Sequence, residues 1–582
     1  MPCIRVFTTV SALLLFLVFR TAHAGTLDGG NNAAEDSLKL TLSQLALADG
    51  VRLSPGNSEF SLYIPVNPGL RPEQAVFQLL PAPGMSGASL WVESGGRIIA
   101  TRETGNDSLE WQVPLSGATV RNGLMELFFH FVPVEEKEHC ITDQATWVYI
   151  DPGSHIAFSA VDTAAQPALI SHFFPPRLER VQVYTDKGWS RKQVQSFLDL
   201  AVFLARTHVP TPQIIPREPG APLPGRLSPF ERVVIIDGGR TGTFLHRNGD
   251  LPAYSVLRLA PGADGMTPRL LFNTSHDLSA TVVTGIGDPE GRIPANPTEA
   301  SGRLTLAALG YGDLQAKGKG SMSIRYRFSQ ADLGGPIRRL GLRLAGTHSA
   351  IPDKAEASLW LRMNGSLFYS QALEGSEFDL YAPVPDHLLQ RDNTLEVVFV
   401  YTPPGGVCEP GTHPFAASVW KSSYIHFEEG QTLPGGFMRF PQAYARGMEI
   451  AIEPMDLQHI YQAARLLAAM QRTTRSALFP DLGQTTGERP LLYVGEKALS
   501  EAPLQIAPFI LRTSSGEELL RFEPGSDFAA LEAWDQTVML AGPVSLASRL
   551  LDNALEPDGW YGITGDTWLQ GTRGKPRALS LL

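Results

Sequence analysis

Only 3 of the 582 residues are cysteine, and one of them, Cys3, stands at the extreme N-terminus. That excludes a small-core scaffold stapled by many disulfides. Basic residues are outnumbered 48 to 59, for a net charge of −11. An acidic chain is a poor ligand for polyanions, which argues against nucleic acid and anionic lipid surfaces as partners. The sequence holds no G-x-S-x-G elbow, no H-E-x-x-H helix and no Walker loop. Its 13 histidines are scattered without metal-ligand spacing. No cofactor, metal or catalytic residue is therefore assigned. Beyond the N-terminus, no run is long and apolar enough to cross a bilayer.

What is present begins with an export signal at residues 1–24. Arg5 supplies the basic start, residues 6–19 are apolar, and Ala22-His23-Ala24 forms a small-x-small cleavage site. Cys3 precedes the apolar run, so it is not a lipoprotein cysteine. Removing this segment, which holds two arginines and no acid, takes the net charge to −13. At 43% hydrophobic the chain is globular, and its length calls for roughly four domains.

The two halves repeat each other at an interval of about 270 residues. Ala88-Ser89-Leu90-Trp91-Val92 with Gly96 returns as Ala357-Ser358-Leu359-Trp360-Leu361 with Gly365. Arg121, Met125-Glu126-Leu127, Phe129, Phe131 and Pro133 return as Arg391, Leu395-Glu396-Val397, Phe399, Tyr401 and Pro403. Cys140 and Trp147 follow the first copy, Cys408 and Trp420 the second. Solenoid units run roughly 20–50 residues, so this period marks a duplicated multi-domain module.

Each repeat opens with short runs rich in β-branched and aromatic residues, separated by turns such as Asn67-Pro68-Gly69 and Ser94-Gly95-Gly96. Seven or more such strands over residues 60–150, and again over 321–427, predict a β sandwich of jelly-roll type. The rhythm then changes. A strand at 181–184, a helix at 193–206 and a buried strand at 232–237 predict a small doubly wound, flavodoxin-like sheet. The second copy has strands at 449–452, 491–494 and 537–541, with helices from Asp456 to Met470 and over 544–554. The predicted domains are a linker at 25–37, jelly rolls at 38–165 and 301–430, and α/β units at 166–300 and 431–582.

Three local features invite a binding role. Gly285-Ile286-Gly287 faintly resembles a dinucleotide turn, but Pro289 and Pro294 bar the helix whose N–H groups would face a phosphate. Arg339 and Arg343 match half of the cyclic di-GMP motif of PilZ domains. They also alternate with Leu340, Leu342 and Leu344, as on the polar face of a half-buried strand, and that is the better reading. Flat aromatic rings suit the C–H-rich face of a pyranose. Trp91 and Trp360 sit inside strand patterns and are expected in the core. Trp111 and Trp189, near turns or polar segments, are the candidate sugar-binding residues, with any such site expected on a jelly-roll rim.

In its order of parts the chain resembles one family, the periplasmic B subunit of bacterial cellulose synthase. The resemblance rests on residues 395–399 with Cys408 and Trp420, and on 125–131 with Cys140, Trp147 and Ser154. Val538-Met539-Leu540-Ala541-Gly542 and Trp560 with Gly565-Asp566 extend it, over about residues 38–566. It implies a non-catalytic accessory subunit on the periplasmic side of the inner membrane. Its partners would be the catalytic glycosyltransferase subunit and the nascent glucan chain, which it would guide outward. The family is also labelled cyclic di-GMP-binding, a regulatory role better met indirectly, through the catalytic subunit in the cytosol. Family members continue into amphipathic and transmembrane helices, whereas this sequence ends at Leu582, so membrane contact is expected only through partners. The alternatives are an exported polysaccharide deacetylase or esterase, and a free glycan-binding adaptor.

Cys140 and Cys408 are the only cysteines left after export and occupy equivalent places in the two β units. Sandwiches packed about a pseudo-twofold axis would bring them together as a disulfide. The alternative is two independent buried thiols.

Overall fold

Alternation governs most of the chain. In the strand Gly320–Ser329, Met322, Ile324, Tyr326 and Phe328 are buried while Ser323, Arg325 and Arg327 face out, the period-two pattern of a sheet with one wet face. The computed structural model describes residues 39–133, 146–160, 170–238, 243–246, 254–261, 283–284, 302–406, 413–430, 435–499, 502, 509–512, 518–522, 528–555, 559–572 and 575–579, less positions 46, 48, 56, 84–86, 106, 122, 171–172, 484–486 and 488. The signal and linker (1–37), Cys140, Cys408 and Gly285-Ile286-Gly287 lie outside the described residues. So does the proposed disulfide.

The described chain is mostly β-sheet, and four of its sheets are antiparallel faces consistent with β sandwiches. In the first half, one face runs His155–Ala160, Leu70–Pro81, Val148–Ile150, Val51–Leu53, with Leu109–Pro114 also on Leu70–Pro81. In the second half, the matching face runs Tyr424–Glu429, Ile337–His348, Phe415–Val419, Leu314–Gly318, with Glu377–Val384 on Ile337–His348. The opposing faces correspond equally well: Glu59–Pro65, Leu124–Pro133, Ala88–Ser94, Arg97–Thr104 against Gly320–Ser329, Asp392–Thr402, Glu356–Met363, Ser366–Ala372. The repeat read from the sequence is thus a repeat of strand order.

The other two large sheets also share one order. Arg180–Thr185 pairs in parallel with Gln213–Pro216 on one side and Glu231–Ile236 on the other, and Val256–Leu259 extends the parallel part. Thr243–His246 then enters antiparallel beyond Val256–Leu259. In the second half, Met448–Glu453 lies between Pro480–Leu482 and Leu491–Gly495, followed by Thr537–Ala541 in parallel and Phe528–Trp534 antiparallel. The first three strands follow the 2-1-3 order of a flavodoxin sheet, but the next strand in the chain runs antiparallel and the fifth takes its place. The described helices are α1 (Arg191–Thr207), α2 (Leu457–Gln471) and α3 (Val544–Ala554). The opposite face of the first sheet, with Tyr184, Val233, Ile235, Tyr254 and Val256, is covered by Ala221, Leu223 and Leu227 from the proline-rich loop. Tyrosine hydroxyls hold that loop, Tyr254 donating to Pro224 O at 2.6 Å and Tyr184 to Pro222 O at 3.4 Å.

The helices start where their caps place them. Gln193 Oε1 accepts the Ser190 N–H at 3.1 Å, and Asp456 accepts from the N–H groups of Gln458 and His459, each at 3.0 Å. Residues 193–205 of α1 are buried on every side, the mark of a helix enclosed by protein. It packs on α2, and the apolar residues of both α/β halves form one continuous core. The contact is reciprocal: α1 touches the edge strand Pro480–Leu482 of the second half, and α2 touches the edge strand Gln213–Pro216 of the first. A pseudo-twofold relation therefore runs through the two helices. Hydrogen bonds from side chains tie each sandwich to its own α/β layer. Asn67 exchanges bonds with Arg177 N and O at 3.1 and 2.8 Å; Asp332 Oδ1 accepts from Thr474 Oγ1 at 2.8 Å and Arg475 N at 2.5 Å. Among the described residues no helix is long and apolar enough to cross a membrane.

Candidate functional site

The candidate site lies on the outer face of the second sandwich, and strand register assembles it. Along Ile337–His348, Leu340, Leu342 and Leu344 point to the core, so Arg339, Gly341 and Arg343 point out. Arg343 stands opposite Tyr381 on one neighbouring strand and opposite Tyr424 on the other. One step along, Ala345 faces Asp379, and the Trp420 N–H donates to Ala345 O at 2.9 Å. Tyr381 is 56% exposed and Trp420 38%. Tyr381 and Tyr424 thus flank one arginine–aspartate pair, with exposed Trp420 on the strand edge beside Ala345.

The pair is bidentate. Arg343 Nη2 donates to Asp379 Oδ2 at 2.7 Å and Nε to Oδ1 at 3.0 Å, the fork geometry that fixes both planes. Hydrogen bonding from Arg343 and its charge outweigh burial and hold the Asp379 carboxyl below the usual carboxylate range. It is an acceptor here, not a proton donor. Arg303 stacks its guanidinium 3.9 Å above the Tyr424 ring centroid. Tyr381 lies over Gly341: a β-carbon there would sit 2.8 and 2.9 Å from two of its ring carbons. Gly341 is therefore a recess that lets the ring lie flat along the sheet. The surface can receive a flat apolar ring face while offering fixed donors and acceptors to hydroxyl groups.

The first sandwich carries a different face at the same place. Gln78 N donates to Ser154 Oγ at 2.9 Å as Ala345 N does to Ser423 Oγ at 3.0 Å, which aligns the two copies. Val76, Gln112 and His155 then occupy the positions of Arg343, Tyr381 and Tyr424. Instead of aromatics there is an amide ladder: Glu110 accepts from Gln78 and Gln112, each at 2.9 Å, and Gln112 from Gln74 at 3.1 Å. The Gln112 and Gln78 bonds hold the Glu110 carboxyl low.

Of the two tryptophans chosen from the sequence, Trp111 is buried and Trp189 half-buried. Trp111 is 4% exposed and packs on Phe77 at 6.1 Å, because its strand turns alternate residues inward. Trp189 packs edge-on against Phe197 at 5.3 Å and donates its Nε1–H to Arg217 O at 3.0 Å, fixing the loop before α1. Trp91 and Trp360, expected in the core, lie instead at half-buried outward positions between inward leucine and valine residues. Trp91 stacks on His130 at 5.1 Å. Arg339 and Arg343 do occupy the polar face of a strand, paired with Glu428 and Asp379. The phrase Glu377–Val384, with Phe378, Leu380, Ala382 and Val384 inward, was the signal that Tyr381 faces out. Among the described residues no group of three His, Cys, Asp or Glu side chains is placed to hold a metal ion.

No family model and no curated protein matches the chain. Solved structures align with it at low overlap. A family 61 carbohydrate-binding module in complex with β-1,4-galactotriose is 13% identical over 22% of this chain and 84% of its own, with a TM-score of 0.14. A tandem of two family 22 modules from Paenibacillus barcinonensis Xyn10C is 9% identical over 68% and 97%, with a TM-score of 0.12. A family two carbohydrate esterase from Clostridium thermocellum in complex with cellohexaose is 12% identical over 34% and 65%, with a TM-score of 0.13. At such TM-scores these likenesses decide neither fold nor function.

Proposed function

We propose that this chain is a non-catalytic accessory subunit of a cellulose synthase, or of a synthase of a similar β-glucan, acting in the periplasm beside the inner membrane. In this reading the sandwiches are jelly-roll carbohydrate-binding-like domains and the α/β halves are shortened flavodoxin-like units. The polymer emerging from the catalytic glycosyltransferase is steered over the outer faces. The observation that carries the reading is the Tyr381–Arg343–Asp379 platform, framed by Tyr424 and Trp420: a flat exposed ring beside a bidentate pair held open by Gly341. Its openness suits a conduit, because a shallow face holds a moving chain weakly and releases it. The family resemblance of the sequence and the paired strand orders of the two halves agree with it. The test is affinity electrophoresis of the exported protein through gels containing soluble β-glucan. Retardation that falls sharply in Tyr381→Ala is the expected result; identical mobility with and without glucan would refute the reading.

A further inference from the structure

The two places where a helix meets the other half's edge strand have diverged. Aligning the helices on their caps, Ser190 and Asp456, sets Gln195 against Tyr461, Leu198 against Ala464, Asp199 against Arg465, Val202 against Ala468 and Phe203 against Ala469. On the α1 side the positions of Ala464, Ala468 and Ala469 carry larger, buried residues. Leu198, Val202 and Phe203 are buried, and Gln195 closes the edge strand by donating to Pro480 O and accepting from Leu482 N, both at 2.8 Å. On the α2 side a cavity of about 390 Å³ opens between α2, the strand Gln213–Pro216 and α3. That is within the range of ligand clefts, roughly 300–1,000 Å³.

Its walls are fixed and chemically mixed. Gln462 Nε2 donates to Val544 O and Ser548 Oγ, each at 3.1 Å, which locks α3 beside α2. Arg465 donates to Asp552 Oδ1 at 2.8 Å and lies 5.9 Å from the Tyr461 ring centroid. Exposed Arg472 stands at the far end, so the lined face of α2 is about 16 Å long at 1.5 Å per residue. The N–H groups of Gln213 and Arg217 bond to Glu179 O and Val183 O on the inner strand. The alternate residue, Ile214, therefore turns its own N–H and C=O toward the cavity. Thr211 Oγ1, also in the lining, is buried and has no hydrogen-bond partner.

We propose that this cavity is a second saccharide site, taking a short, neutral, hydroxyl-rich segment of β-glucan. The ligand class rests on the function proposed above; the site rests on the cavity. Hydroxyl groups both donate and accept, so one such ligand suits the Ile214 C=O, the Asp552 carboxylate and the two arginines together. Asp552 already balances Arg465, which leaves an anionic ligand only Arg472, at the far end, to hold it. An added peptide strand would meet Pro216, which has no N–H to continue a ladder. Tyr461 supplies the aromatic face a pyranose needs.

Calorimetric titration of the full-length exported protein with cellotriose, which is too short to bridge separate sites, tests this. The expected stoichiometry is two per chain in the wild type and one in Tyr381→Ala. In the Tyr381→Ala background, Ala468→Val, which restores the bulk α1 carries, weakens the remaining site by about tenfold or more, and Arg465→Ala does the same. Arg465→Ala decides the matter if the valine disturbs folding. A wild-type stoichiometry of one that vanishes in Tyr381→Ala overturns the cavity and leaves the platform standing. A remaining site indifferent to both cavity substitutions also overturns it. No binding by the wild type overturns cavity and platform alike.

Discussion

Gln195→Ala should separate the stability of the fused α/β layer from that of the rest of the molecule. The side chain is buried and bridges the halves through two 2.8 Å bonds to the strand Pro480–Leu482. The N–H of half-buried Leu482, stripped of its acceptor, costs about 1–3 kcal/mol, and the lost donation to Pro480 O about 0.5–1.5 kcal/mol more. A total of about 1.5–4.5 kcal/mol follows. At about 2 °C per kcal/mol for a cooperative unit of this size, calorimetry should show the transition that contains the helices falling by about 3–9 °C. Gln195→Glu keeps an acceptor for Leu482 but sets a carboxylate against Pro480 O and beside Asp199, whose Oδ1 now accepts from Gln195 at 2.9 Å. It should cost more than alanine. A loss below about 0.5 kcal/mol for alanine, or a glutamate variant as stable as the wild type, would refute the view that this amide joins the halves.

Gly341→Ala should push Tyr381 off the sheet and weaken glucan retardation while leaving thermal stability nearly unchanged, because the displaced ring is exposed; electrophoresis and calorimetry on the same sample check both. Burial pushes the Asp456 carboxyl up, but bonds from the His459 N–H and ring and the Gln458 N–H outweigh it and hold it below its ordinary value. With a folded pKa below the unfolded one, the stability it lends is present above pH ~4 and lost as pH falls from there through the lower folded value. Asp456→Asn should flatten that acid limb in pH-dependent melts, and Asp456→Ala should cost about 1 kcal/mol at neutral pH. Trp560 is fully buried and donates its Nε1–H to Phe440 O at 3.0 Å; Trp560→Ala should cost about 3–5 kcal/mol by denaturant titration, and Trp560→Phe clearly less.

The helix at 544–554 was legible to the residue because Leu546, Ala547, Leu550, Leu551 and Ala554 recur at helical spacing and all are buried. The sandwich strands were legible because alternation is a local property. Gln213–Pro216 and Pro480–Leu482 left no such trace. They are 4 and 3 residues long, carry proline, and owe their extended form to neighbours far away in sequence. The antiparallel entry of Phe528–Trp534 is likewise a matter of pairing, so the sequence pointed to a fully wound sheet. Trp91 was misread although its pattern was correct: Leu90 and Val92 inward leave it outward, and the general tendency of tryptophan to be buried prevailed over the parity. The platform was hidden for a different reason. Arg343, Tyr381 and Tyr424 are separated by dozens of residues, and only the register of three strands brings them into one row. The cavity was hidden further still, since three alanines on a helix carry meaning only beside the larger residues of the other copy.

The two edge strands also bear on the order in which the chain is made. Synthesis delivers the N-terminal half first, and for a time its edge strand Gln213–Pro216 has no α2 to lie against. Pro216 withholds one of the N–H groups that another chain would need to pair with it. The later strand, Pro480–Leu482, is built alike, with one outward N–H at Leu482 and a proline that has none. By the time it leaves the ribosome, however, Gln195 is already folded into α1 and can occupy that edge at once. The half that must wait is guarded by its own backbone, and the half that arrives second is guarded by the first.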